Sequence, residues 1–323
     1  MKLSMEQIKN VVFGAVESVT EEKGIQFYRM PLNHIARIQE NNQSYGIRAW
    51  ATASILLDFY TDSTCFGFSF DEVKQASARE WYYFSLYING KKYADIGEEK
   101  AALCEGKYYT DLPVGRKRIT LFFPNLFRAR LNAIELSENA TVEAVEKQRK
   151  VLFIGDSITQ GYDAKCAANS YVNRLAYIND WEVVNAGIGG ARFEDYWIDE
   201  NSSYEPDEIF VALGTNAWKW NTKEVFTQTC EKFFEKLSMV YSNKPIFVML
   251  PIWREESYSQ LFQGTFIEGR ELLAKIVKQY PQIQIIDLWE HLPQDKKYYS
   301  DGVHPNEQGM EFLFKELSNA LKK

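Results

Sequence analysis

The residues in this sequence best suited to chemistry are a serine, a histidine and an acid. Ser157 stands in Gly155-Asp156-Ser157-Ile158-Thr159-Gln160-Gly161, directly after the apolar run Val151-Leu152-Phe153-Ile154. A serine hydroxyl is a weak nucleophile until a base takes its proton and donors hold the oxyanion that its attack creates. The sequence has three histidines, His34, His291 and His304. His304 sits in Ser300-Asp301-Gly302-Val303-His304-Pro305-Asn306. The Asp-x-x-His spacing lets Asp301 fold back and accept a hydrogen bond from one ring nitrogen, leaving the other to face Ser157. Glycine at 155 permits a sharp turn, and a helix following it would aim N–H groups and a positive dipole end at charge developing beside Ser157.

Two further segments, Asn185-Ala186-Gly187-Ile188-Gly189-Gly190 and Gly214-Thr215-Asn216, complete four blocks in a fixed order across residues 151–321. With them the sequence resembles the SGNH (GDSL-type) hydrolase superfamily. The resemblance implies Ser157 as nucleophile, His304 as base and Asp301 as acid. It also implies an oxyanion hole made of the Ser157 N–H, the Gly190 N–H and the Asn216 side-chain amide. Where the family commonly continues the third block with Asp, this chain has Ala217, followed by Trp218-Lys219-Trp220. That puts the local loop geometry in question rather than the catalysis. The G-x-S-x-G elbow of α/β-hydrolases is absent.

Arg192, Trp218, Trp253 and Arg254 follow strand-like runs or the blocks themselves and are candidates for substrate binding. Indole faces suit sugar rings, and guanidinium groups clamp oxygen-rich ligands. A β-rich part ahead of an SGNH domain resembles esterases that deacetylate plant-type oligosaccharides. The expectation is therefore a serine esterase for short acyl esters on carbohydrates, needing no metal or organic cofactor. The alternatives are a lysophospholipase or acyl thioesterase of the same superfamily, and an inactive carbohydrate-binding protein.

These residues have to be positioned by two kinds of element. From Gly24 to about Leu136, short runs rich in Ile, Phe, Tyr and Thr alternate with Gly, Asn, Asp and Pro. Strands are expected over 47–61, 65–70, 81–88, 107–112 and 118–123, with Asn89-Gly90 as a two-residue hairpin turn. Ahead of them, Ser4 and Gln7 have capping-box spacing, and Ile8, Val11, Val12 and Val16 recur at helical intervals. After the polar stretch 137–150, buried strands are expected at 151–154, 208–213, 246–250 and 283–288. Helices are expected at 226–241, 269–280 and 306–321, an alternation that makes a parallel sheet. The predicted fold is α/β: a flavodoxin-like parallel sheet flanked by helices (146–323), preceded by an antiparallel β-sandwich or jelly roll with an N-terminal helix (1–145).

Composition bounds the rest. The 323-residue chain is 46% hydrophobic and 15% aromatic, with a formal charge of −7. A net acidic chain lacks the positive field that gathers nucleic acid, so nucleic-acid partners are not expected. No apolar run approaches the roughly 18 residues of a membrane span, and no signal-peptide pattern precedes Val19, so a cytoplasmic protein is expected. Cys65, Cys104, Cys166 and Cys230 are scattered and are expected to be reduced.

Overall fold

In the computed structural model, residues 1–102 and 105–322 are described. The chain opens with a short helix, Met5–Lys9, capped as its sequence predicts. The Ser4 hydroxyl accepts from the Gln7 N–H, and the Gln7 side chain accepts from the Ser4 N–H. The helix is shorter than expected, because Val12–Phe13 already pairs as a strand with Leu56–Leu57. Val11, Val12 and Val16 thus continue no helix, in keeping with the strand preference of β-branched residues.

Two antiparallel sheets follow. One has the order Val12–Phe13, Leu56–Thr61, Lys117–Phe122, Tyr82–Ile88, Lys91–Glu98, with Glu143–Ala144 also paired to Leu56–Thr61. The other has the order Glu17–Thr20, Ile25–Tyr28, Phe127–Leu136, Cys65–Gln75, Gly106–Asp111. Side chains from both, including Phe27, Phe59, Phe68, Phe84 and Phe123, share one apolar core. Much of the aromatic surplus fills this core, with the Phe84 ring 4.6 Å from Phe70 and 5.3 Å from Phe123. Asn89 and Gly90 take φ of +48° and +79° and make the hairpin.

The strand expected from Ile47 begins only at Leu56. Before it lie two helices the sequence reading did not foresee, Leu32–Asn41 and Gln43–Ala49, the second capped by the Asn42 side chain on Tyr45 N–H. His34, Ile35 and Ile38 form the buried face of the first.

Among the described residues the second half contains a five-stranded parallel sheet in the order Trp181–Gly187, Arg149–Gly155, Glu208–Ala212, Ile246–Met249, Ile283–Ile286. The first of these is not among the strands the sequence predicts. Its leading residues are only half-buried, so Trp181 and Glu182 blur the apolar run. Helices Lys223–Val240, Phe266–Val277 and Glu307–Ala320 flank the sheet, each opened by a capping side chain: Thr222, Thr265 and Asn306. Fold class and helix placement in this half match the expectation.

No helix among the described residues is long and apolar enough to cross a membrane. Cys65, Cys166 and Cys230 are free thiols. Cys104 lies outside the described residues.

Candidate active site

Register brings the motif blocks together. Gly155 at the end of its strand pairs with Gly187 on one side and Ala212 on the other, so three adjacent parallel strands end level. The segments that leave them, Asp156-Ser157, Ile188-Gly189-Gly190 and Leu213-Gly214-Thr215-Asn216, emerge side by side at the carboxyl edge where open α/β sheets bind ligands. A Cβ on Gly155 would fall 2.2 Å from Thr159 Oγ1, so the turn back over the strand end requires glycine. Asp156 caps that turn, its Oδ1 accepting from Ile158 N–H at 3.0 Å. The helix it starts runs only from Ser157 to Gln160, stopped by Gly161 at φ +102°. One turn is too short for the sizeable dipole expected from a following helix, and that part of the expectation is corrected.

His304 is presented by a turn that its own acid folds. Asp301 Oδ1 accepts from the N–H of Val303 at 3.1 Å and of His304 at 3.0 Å. The two carboxylate oxygens lie 3.0 and 2.8 Å from His304 Nδ1, while Nε2 lies 2.8 Å from Ser157 Oγ. With Nδ1–H donating to the carboxylate, Nε2 carries the lone pair and can accept the serine proton. The hydrogen bond from the His304 ring, backed by the two backbone N–H groups, holds the Asp301 carboxyl well below the usual range against its partial burial. The acid is ionised wherever the histidine is useful. Asp156, by contrast, is fully enclosed, and burial pushes its carboxyl up to about 6.

The second block turns at Gly190, where φ is +83°. Asn216 Nδ2 donates to the Ala191 carbonyl at 3.3 Å, which ties the third block to the second. Gly189 N–H donates to Gln160 Oε1 at 2.8 Å, tying the second block to the serine turn.

Several site residues come from the first half, where no motif announced them. Arg48 Nη1 donates to the Gly189 carbonyl and the Tyr45 hydroxyl to the Gly190 carbonyl, each at 2.9 Å. Both belong to the unforeseen helix Gln43–Ala49. Arg29, wholly buried, donates to the carbonyls of Ala51, Asn185, Gly187 and Arg48, and burial lowers its pKa to about 9. The available signal was a lone cation in the apolar run Ile25-Gln26-Phe27-Tyr28-Arg29-Met30. Arg79 grips Asp163 through two hydrogen bonds of 2.7 Å and reaches Asp301 Oδ2 at 3.2 Å. The Tyr162 ring lies against the imidazole, 5.3 Å between centroids and 24° from parallel. Asp163, Asp301 and His304 bring ligand-type atoms within 4.8 Å of one another, and the Arg79 guanidinium is the cation seated against both acids. Beside Asp301 opens a groove of about 810 Å³. Arg79, Trp81 and Glu99 from the first half and Lys165, Ser300 and Asn306 from the second line it.

The candidate substrate contacts fare unevenly. Trp218 is 1% exposed, its indole N–H donating to the Gly264 carbonyl at 3.3 Å and its ring 5.1 Å from Phe226. It is a core residue, and its expected place in the pocket is corrected: the turn after Asn216 directs it inward over Gly269. Arg254 is buried too, donating to the Thr215 carbonyl at 3.0 Å and pairing with Glu256, so it braces the Asn216 turn. Trp253 packs on Tyr299 at 4.9 Å, almost enclosed. Arg192 follows Gly190 and is half-buried, its Nε enclosed with no hydrogen-bond partner among the described residues.

Comparison with known proteins places this geometry. No curated sequence relative matches the chain. Solved structures do. A salicylyl-acyltransferase, SsfX3, from a tetracycline biosynthetic pathway has a TM-score of 0.81 at 17% identity, over 96% of this chain and 94% of its own. A family two carbohydrate esterase from Clostridium thermocellum, in complex with cellohexaose, has a TM-score of 0.69 at 15% identity, over 96% and 98%. One from Cellvibrio japonicus has a TM-score of 0.66 at 14% identity, over 100% and 97%. The shared fold therefore includes the β-rich half. Residues 153–312 match the GDSL-like lipase/acylhydrolase family. That segment carries a GDSL-like lipase/acylhydrolase domain, and the chain shares the two-part fold of the carbohydrate esterases it resembles.

Proposed function

We propose that this protein hydrolyses short-chain acyl esters, acetyl above all, carried by carbohydrate hydroxyls, through an acyl-enzyme on Ser157. The observation that carries the reading is the unbroken chain from Asp301 to His304 Nδ1 and from Nε2 to Ser157 Oγ, each link 2.8 to 3.0 Å. His304 takes the serine proton as Oγ bonds to the ester carbonyl carbon. The N–H groups of Ser157 and Gly190 and the Asn216 amide then hold the oxyanion. Collapse breaks the bond to the alcohol, which leaves with the proton from His304. Water repeats the sequence on the acyl-serine, releasing the acid and restoring the hydroxyl.

The carbohydrate part of the reading draws on the esterases of the same fold and on the groove beside Asp301. Because His304 protonates the departing alcohol, the alcohol side of the ester belongs on the histidine side of Ser157, and the groove beside Asp301 is proposed to receive it. Its indole, paired charges and amide match the stacking and hydrogen bonding that sugars require. The test compares acetate release from acetylated xylo-oligosaccharides with turnover of acetyl and octanoyl p-nitrophenyl esters. Release from the oligosaccharides together with preference for the acetyl ester supports the proposal. Preference for octanoyl with no release from sugar would replace it with a lipid or thioester substrate.

A further inference from the structure

The imidazole of His304 faces two carboxylates. Asp301 is in direct contact with Nδ1, and Asp163 Oδ2 stands 3.9 Å from the same nitrogen. Asp163 is almost fully buried, its side chain 3% exposed. A buried carboxylate without a partner is costly, and beside an imidazole it would stabilise the charged ring. Here it has a partner. Arg79, from the segment leading into the strand Tyr82–Ile88, donates Nε–H and Nη2–H to the two oxygens of Asp163 in a fork. Its Nη2 also reaches Asp301, and the guanidinium carbon lies 5.3 Å from the centre of the Tyr162 ring that packs on His304.

We infer that Arg79 and Asp163 are positioning residues for His304: Asp163 is a second acid behind the imidazole, and Arg79 is the cation that neutralises it and holds Asp301 in line. The β-rich half thereby supplies a working part of the active site rather than a wall beside it. This rests on the reading of Ser157 and His304 as nucleophile and base.

The charged and titratable groups around the ring fix the sign of the effect. On its own turn is Asp301. On the segment after the serine turn are Tyr162 and Asp163. On the serine turn itself are Ser157 and the enclosed Asp156. From the β-rich half comes Arg79. The neighbouring charges are already engaged: Lys165 with Glu99, Glu307 with Asn169, and Glu255 with Lys296. Removing the Arg79 charge leaves two carboxylates facing the imidazole with less compensation. The imidazolium becomes more stable, and the neutral base is available only at higher pH.

The experiment is the pH profile of kcat/KM for p-nitrophenyl acetate on the full chain, for wild type, Arg79→Gln, Arg79→Lys and Asp163→Asn. Rates are referred to active sites counted with a fluorophosphonate, so that loss of folded protein does not enter. The inference expects the acid limb of Arg79→Gln to move upward by about one pH unit, a tenfold change in the proton affinity of the base. Arg79→Lys is expected to restore most of the limb's position, and Asp163→Asn to move it downward. Equal profiles for wild type, Arg79→Gln and Asp163→Asn overturn the inference while leaving Ser157 catalysis intact. A wild-type protein that neither turns over the ester nor labels would instead overturn the reading on which it rests.

Discussion

Asn216 is held by its bond to the Ala191 carbonyl, one residue beyond the Gly190 turn, and the proposed mechanism makes its amide an oxyanion donor. Loss of one such donor in a preorganised site costs roughly a hundredfold to a thousandfold in turnover. Asn216→Ala is accordingly expected to lower kcat by that factor with KM little changed; a fall below about tenfold would remove Asn216 from the oxyanion hole. Asp156 makes a different prediction. Burial penalises the charge and pushes its carboxyl up to about 6 in the fold from an ordinary 3.8. Between those values the folded state keeps a proton that the unfolded state has given up. Stability therefore falls as pH rises through the window, by on the order of 3 kcal/mol at most. Asp156→Asn removes the titration, so urea unfolding should find it more stable relative to wild type at about pH 7.5 than at about pH 4. An unchanged difference would contradict the burial argument. At this scale the contact of Ser157, His304 and Asp301 was legible because each lies in a short consecutive motif. Trp218 and Arg254 were misjudged because position after a strand does not say which way a side chain turns.

The elements that position the blocks divide between those that announce themselves and those that do not. Strand runs and capped helices in the second half follow from apolar periodicity and from Thr222, Thr265 and Asn306. The helices Leu32–Asn41 and Gln43–Ala49 were missed because Ile47 and Trp50, at the head of an apolar run, read as strand, and the Asn42 cap is a single residue. Yet they carry Tyr45 and Arg48 onto the Gly189-Gly190 turn. Arg29 adds the deepest link, one guanidinium on four carbonyls of both halves. Arg29→Met should take a buried charged donor from each of those carbonyls and cost about 3 kcal/mol or more in chemical unfolding. A loss under about 1 kcal/mol would show that the carbonyls find other partners, or water.

For the whole molecule, we take residues 1–145 and 146–323 as two folding units whose contact forms the site. Arg29, Tyr45, Arg48 and Arg79 cross from the first unit to the second through buried or half-buried hydrogen bonds. Separate domains joined only by a linker would unfold separately. Units coupled this strongly are expected to give one calorimetric transition with matching calorimetric and van't Hoff enthalpies. Two resolved transitions, or a lower-temperature loss of the β-rich half that leaves ester turnover unchanged, would contradict the coupling. Motifs could not disclose this joint, because long-range hydrogen bonds from side chains leave no spacing signature in either partner.

Whether Ser157 forms the acyl-enzyme is read from the intact mass of the folded protein after reaction with a fluorophosphonate, for wild type and Ser157→Ala, alongside p-nitrophenyl acetate turnover. A single phosphonyl adduct is expected on the wild type, mapped to the peptide containing Ser157, with neither adduct nor turnover in Ser157→Ala. An adduct at another residue, or turnover that survives the substitution, would contradict it.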